Sequence, residues 1–363
     1  MKKINQSAAL FFVIAVSVTL VSCSKSSSSS SNSSVTVSTL VGSGSSGNTN
    51  GTGTAADFTF PSAIVAINYA GTNDLFVGDF GNSLIRTVNI SSGATGTYAG
   101  TGISGFANGA ALSAEFNGPA NIAFDASGDL FISDEENNMI REVTTSGNTI
   151  TFAGTGTAGL TDGPVATAQL NHPEGIVIDA SNNMYIADLG NNVIRKINIS
   201  TGTISTFAGT GAAGLDNGAT ANATFNEPYG MALDAAGNVY VTDILNNCIR
   251  KITVSTSTVS TFAGTGAKGF SNGAAASATF NQPLGCIFDS GGNMYVSDTY
   301  NNVIRKISAS GNVTTFAGTG AQGMTNGSAS TATFNFPIGL AISGNAVFVA
   351  DTHNNVIRKI TIG

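Results

Sequence analysis

The sequence is poor in charge. Asp, Glu, Lys and Arg make up 10% of its 363 residues, where ordinary globular chains carry about 25%. Tryptophan is absent and histidine occurs twice, at His172 and His353, which excludes a three-histidine zinc site. Twelve basic residues follow residue 22, and all but Lys25 and Lys268 fall at one recurring Arg or Arg-Lys position. With a formal net charge of −7, no basic face remains for a phosphate backbone, so no nucleic-acid partner is expected. A helical period of 3.6 is missing as well, which argues against an array of βαβ units. Cysteine occurs three times. Cys248 and Cys286 stand where other copies of a repeat carry Val193, Val303, Ile176 and Met231, so both are expected to be buried free thiols.

What is abundant is repetition. The stretch from Thr261 to Ile307 returns along the chain at a period of about 55 residues. Its landmarks are Pro61, Pro119, Pro173, Pro228, Pro283 and Pro337, then six aspartates and six arginines. The aspartates are Asp79, Asp134, Asp188, Asp243, Asp298 and Asp351; the arginines are Arg86, Arg141, Arg195, Arg250, Arg305 and Arg358. Each copy reads as four short strands separated by turn residues, as in Leu284 to Phe288, Met294 to Ser297, Val303 to Ile307 and Val313 to Phe316. Repeated four-stranded antiparallel sheets arranged radially make an all-β propeller, here with six blades.

The last copy ends after its third strand. Val37-Ser38-Thr39-Leu40-Val41-Gly42 matches Val259-Ser260-Thr261-Phe262-Ala263-Gly264, so the N-terminal strand is expected to complete the last blade. Closure of this kind leaves no open edge. Residues 35–363 therefore read as one propeller domain, preceded by a leader (1–22) and a serine-rich tether (23–34).

Two segments resemble known families. Lys2 and Lys3 precede an apolar run from Ala8 to Leu20, too short to span a bilayer comfortably, which ends in Leu20-Val21-Ser22-Cys23. That end resembles the lipobox of bacterial lipoproteins, which implies cleavage before Cys23, lipid on its thiol, and anchoring to the bacterial cell envelope, periplasmic or surface-exposed. Several acyl chains would hold the protein to a membrane stably. The second resemblance spans all six copies. Pro228-Tyr229-Gly230, Gly237-Asn238-Val239-Tyr240-Val241-Thr242-Asp243 and Asn246-Asn247-Cys248-Ile249-Arg250-Lys251-Ile252 are similar to the NHL repeat. The first copy departs from it, with Ser62-Ala63 after its proline. The likeness implies a six-bladed propeller used mainly for binding, and in some members for lyase or RNA-binding work; it names no ligand.

Gly154-Thr155-Gly156-Thr157-Ala158-Gly159 matches a dinucleotide fingerprint, but Asp162-Gly163 makes a turn where a helix should open, and the pattern recurs at Gly209, Gly264 and Gly318. No cofactor is expected. Two apolar series in the same loop, Phe106, Leu160, Leu215, Phe270 and Met324, then Phe116, Leu170, Phe225, Phe280 and Phe334, read as core residues holding it to the blade. The six aspartates and arginines read as architectural pairs, because a chemical site needs one constellation rather than six.

Function should lie where the copies differ, on the face shared by the inter-blade connections and the loops between second and third strands. Glu135, Glu136, Glu174, Tyr229, Ile244, Leu245, Tyr300 and His353 are the candidate ligand-binding residues there. They point to a module binding a protein, peptide or glycan. The alternative is a divalent-cation-dependent lactonase-like or lyase enzyme, in which Glu174, Glu227, Asp216 and Glu135-Glu136 would supply oxygen ligands at the propeller mouth.

Overall fold

The computed structural model describes residues 35–362 apart from Ala70; Cys23, the leader and the tether lie outside the described residues. Six antiparallel sheets form the blades of a propeller. Each first strand begins at or just after its proline, as in Pro173–Ile178 and Cys286–Phe288, and lies on the axis. The six first strands enclose a mainly apolar channel of about 370 Å³. Second, third and fourth strands step outward, as Asn183–Asp188, Val193–Asn198 and Thr203–Ala208 do in the third blade. Five sheets gain an outermost two-residue strand such as Gly163–Pro164, which the sequence reading did not anticipate. The first blade has an isolated bridge, Thr52 to Ala94, in that place.

Alternation along the strands explains the core. Val239, Val241 and Ile252 of the fourth blade pack with Tyr185, Ile194 and Phe225 against the third, so every blade interface is a dry apolar seam. Cys248 and Cys286 are buried and free, and burial pushes both thiols up to about 12.

Behind each seam lies a buried polar network. Asp188 Oδ2 accepts from Arg195 Nη1 at 2.8 Å and from Asn191 Nδ2 at 2.8 Å, while Oδ1 accepts the Asn171 backbone N–H at 2.7 Å. The guanidinium continues outward, Nη1 donating to the Gln169 carbonyl at 2.8 Å and Nη2 to that of Thr161 at 3.1 Å. All six copies repeat this, with Asp–Arg contacts of 2.6 to 2.8 Å between side chains with no exposed surface. Burial raises the aspartate carboxyls, Asp79 and Asp351 up to about 6, against the pull of their hydrogen bonds and arginines. In five copies the guanidinium also lies over the buried phenylalanine of the connection, as Arg250 does over Phe225 at 5.1 Å. Where Leu170 replaces that ring, Arg195 gains Asp162 at 2.6 Å instead.

That network disposes of half of the loop reading. Phe116, Leu170, Phe225, Phe280 and Phe334 are fully buried. The other series is exposed: Phe106 is 64% accessible, and Leu160, Leu215, Phe270 and Met324 are open as well. A connection lying flat on a blade has one inward side, and the strand-like pairing of Ala213 with Phe225 and of Lys268 with Phe280 gives that side to the second series. Members of the first series rest on its outer surface, as Phe270 does over Arg305 at 5.1 Å.

Small residues set the spacing between blades. A Cβ on Gly230 would stand 2.1 Å from the Leu284 carbonyl of the next blade. The first blade carries Ala63 at that position and compensates with Gly78, whose own Cβ would meet Ala63 Cβ at 3.0 Å. The second blade also departs, with Asn121 in place of the glycine.

The ring closes through the N-terminal strand. Thr36–Val41 pairs antiparallel with Val356–Thr361, Val37 opposite Ile360 and Thr39 opposite Arg358, and its other edge meets Gly327–Ser328. Deleting Val35 to Val41 should expose the third strand of the last blade and so lower the melting temperature or drive oligomerisation; calorimetry and size-exclusion chromatography check this, and a monomer with unchanged stability would contradict it. Asp188→Asn should leave Arg195 short of a full counter-charge in a buried site and cost about 3 kcal/mol, measured by denaturant unfolding.

Candidate functional site

The loop face is shaped by how each blade hands over to the next. After the aspartate the chain makes one 3-10 turn, such as Thr299–Asn301, and its closing residue adopts a left-handed conformation. That residue is Asn in five copies, Asn138, Asn192, Asn247, Asn302 and Asn355, and Ser83 in the first. Asparagine tolerates this region better than most side chains. Its amide oxygen accepts the backbone N–H of the residue before the next blade's proline, as from His172 to Asn138 at 2.9 Å and from Glu227 to Asn192 at 2.9 Å. The same bond joins Phe60 to Asn355 at 2.9 Å, which ties the first blade to the last.

These pre-proline residues, Phe60, His172, Glu227, Gln282 and Phe336, are themselves left-handed, with φ between +48° and +59°. For residues other than glycine this costs about 1 kcal/mol, roughly what one hydrogen bond returns. Between the first and second blades Ser83 makes no such bond among the described residues, and there the pre-proline residue is Gly118, φ +70°. The arrangement aims five large side chains onto one face.

Two clusters result. Tyr300, Phe336, His353 and Phe60 form a row across the fifth, sixth and first blades. Tyr300 meets Phe336 edge-on at 4.9 Å, Phe336 stacks on His353 at 4.4 Å, and Phe60 meets His353 edge-on at 5.8 Å. Tyr300 is 50% exposed and Phe60 47%. Burial pulls the His353 imidazole below its ordinary value, so the row is neutral at pH 7.

The second cluster is acidic and lies on the second to fourth blades. Glu135 Oε1 is 3.4 Å from His172 Nδ1. Glu174 is buried on the first strand of the third blade, beside Glu135 and the Tyr229 hydroxyl, and its Oε2 has no hydrogen-bond partner. Burial, reinforced by Glu135, holds the Glu174 carboxyl well above the ordinary carboxylate range. Burial, then Glu136, raises Glu135. Tyr229 presents a half-buried ring, while desolvation and the two carboxylates push its hydroxyl well above the usual tyrosine value.

The eight residues expected to share this surface are thus divided. Glu135, Glu136, Glu174 and Tyr229 meet, and Tyr300 and His353 are joined through Phe336. Ile244 is 7% exposed and packs with Leu284 and Ile338 at the channel mouth, so it is no surface anchor. The first residue after the aspartate turns inward, as Thr299 and Thr352 also do, and the second turns out, as the 41% exposed Leu245 does. Glu227 and Asp216 do not join the acidic cluster, and the Asp216 carboxylate instead accepts from the Thr224 hydroxyl at 3.4 Å. His172, Phe336 and Phe60 vary between the copies on this same face but were not among the eight candidate residues. Their common position before the proline was the available signal.

No family model matches the sequence. Suppressor of Quenching 1, a chloroplast protein of Arabidopsis thaliana, is 33% identical over 281 residues, which span 72% of this chain and 26% of that protein. NHL repeat-containing protein 2 of Bos taurus is 30% identical over 286 residues, 68% of this chain and 39% of its own. The chain therefore spans well under half the length of these relatives. Among solved structures, an auxiliary nutrient binding protein from Bacteroides ovatus superposes with a TM-score of 0.70 at 16% identity, covering 90% of this chain and 76% of that one. A streptogramin B lyase superposes with a TM-score of 0.54 at 13% identity, covering 91% and 98%. At such identities these two structures show the fold alone. The repeated Pro, Asp, Asn-Asn and Arg landmarks, the six-bladed ring they build and the similarity to NHL repeat-containing protein 2 make the chain an NHL-repeat β-propeller.

Proposed function

We propose that the protein is a binding module of the bacterial cell envelope, held to a membrane by lipid on Cys23 and presenting its loop face, in the periplasm or at the surface, to a protein, peptide or glycan. The observation that carries this reading is the row from Tyr300 to Phe60. Four neutral rings in edge or stacked contact, half open to solvent, offer rigid apolar area that costs little conformational entropy to bury. A monomeric propeller gains nothing from keeping such a row uncovered. The acids across the channel mouth would orient a ligand and select its charge. A fold shared with a nutrient-binding protein supports binding in general, and the ligand class rests on the rings.

The test uses full-length protein immobilised and probed with polysaccharides and with envelope extract. Tyr300→Ala with His353→Ala should weaken capture by about 1–3 kcal/mol with little change in melting temperature, and Glu135→Lys with Glu136→Lys should alter its salt dependence. Substitutions in the turns Asn182-Asn183 and Gly291-Gly292, on the opposite face, should have no effect; capture lost there and kept in the loop-face variants would overturn the assignment. In the same cells, palmitate label should enter the wild type and not Cys23→Ala, and equal labelling would remove the anchor.

A further inference from the structure

We propose that Glu135, Glu136, His172 and Glu174 form a binding site for a divalent transition-metal ion of the Zn2+ or Mn2+ type, off the propeller axis where the second blade meets the third. The first support is geometric. One donor atom from each of Glu135, Glu136 and His172 lies within 4.8 Å of the other two. Donors about 2.1 Å from one ion lie at most about 4.2 Å apart, so the set closes by modest rotation of Glu136, which is exposed, and His172, whose side chain is 40% accessible.

The second support is independent of that spacing. Glu174 is 3% exposed, stands beside Glu135, and leaves its Oε2 buried without a hydrogen-bond partner. A buried polar atom left unpaired costs about 1–3 kcal/mol. Glu174 Oε2 is the one carboxylate oxygen among the buried unpaired side-chain atoms of the described residues, and every buried aspartate of the repeat has its own arginine. The three glutamates have none. Among the described residues no Lys or Arg pairs with them, and His172 is their one ion-pair partner. A cation would supply what the repeat otherwise supplies from its third strand.

The donor types choose the metal. Three carboxylates alone would suit Ca2+ or Mg2+, but Ca2+ takes six to eight oxygens and Mg2+ keeps its water. An imidazole among them favours a first-row transition ion. The second blade has Glu135-Glu136 where the other copies have Phe80-Gly81, Leu189-Gly190, Ile244-Leu245, Thr299-Tyr300 and Thr352-His353, and the third has His172 and Glu174 beside its proline, so the site occurs at one junction of the six.

This assignment stands apart from ligand binding by the aromatic row, and its test needs no ligand. Chelator-treated protein is titrated with Zn2+ by calorimetry, and its melting temperature is followed with Zn2+, Mn2+, Ca2+ and Mg2+. The wild type should bind one Zn2+ saturably and melt higher with it. His172→Ala and Glu174→Gln should each weaken binding at least about tenfold, whereas His353→Ala, which removes the other histidine, should bind as the wild type does. The His172 ring is half open, so its loss should leave the fold intact, and the apo melting curve checks this. Co2+ in place of Zn2+ should give a visible absorption band that His172→Ala lacks. Absence of saturable binding, equal binding by His172→Ala and wild type, or Ca2+ and Mg2+ binding as tightly as Zn2+ would overturn the proposal.

Discussion

One hydrogen bond between neighbouring blades determines where the loop-face side chains stand. The N–H of the residue before the proline donates to the asparagine that closes the preceding blade's turn, at 2.9 to 3.0 Å in five junctions. Both partners are left-handed, a state that neither would choose freely. The bond is therefore a constraint on two strained positions at once, and it fixes the direction in which His172, Phe336 and Phe60 leave the backbone. Without it the imidazole would not be held to Glu135, nor Phe336 between Tyr300 and His353.

That bond depends in turn on the buried aspartate. The carboxylate at the end of the second strand grips the first asparagine of each pair, the arginine and the backbone of the incoming connection, so the turn that presents the second asparagine cannot drift. Because the aspartate, the asparagines and the arginine are repeated, they build scaffold; the residues that vary between them write the site onto it. The division has an electrostatic side. Scaffold carboxylates are paired with an arginine of their own blade, whereas Glu135, Glu136 and Glu174 have no arginine or lysine partner among the described residues, and this acidic cluster sits opposite the aromatic row.

Much of the fold was legible because a repeat displays its own period: the six blades, their four main strands, the closing strand and the Asp-to-Arg hairpin all follow from spacing, whereas the two-residue outermost strands do not. The loop face was legible only as a face. Sequence position places Ile244 and Leu245 side by side, yet one points into the channel mouth and the other into solvent, an alternation visible only by comparison with Thr299-Tyr300 and Thr352-His353. The exposed series from Phe106 to Met324 has the same spacing as the buried one from Phe116 to Phe334, and hydrophobicity alone does not say which side of a connection meets the blade. The paired exchange of Ala63 and Gly78 reads in sequence as a degraded first repeat, while in three dimensions it is a compensated one.

The Ser83 and Gly118 junction already contains the decisive comparison. Transferring it to another junction, by Asn192→Ser alone and together with Glu227→Gly, isolates the clamp from the strain it holds, with unfolding free energy as the readout. Asn192→Ser should cost about 1–2 kcal/mol, and adding Glu227→Gly should recover at least half of the loss, since glycine takes the left-handed conformation without the penalty. A neutral Asn192→Ser, or a double variant less stable than the single one, would contradict the claim that this bond holds the strained residue and, through it, the loop face.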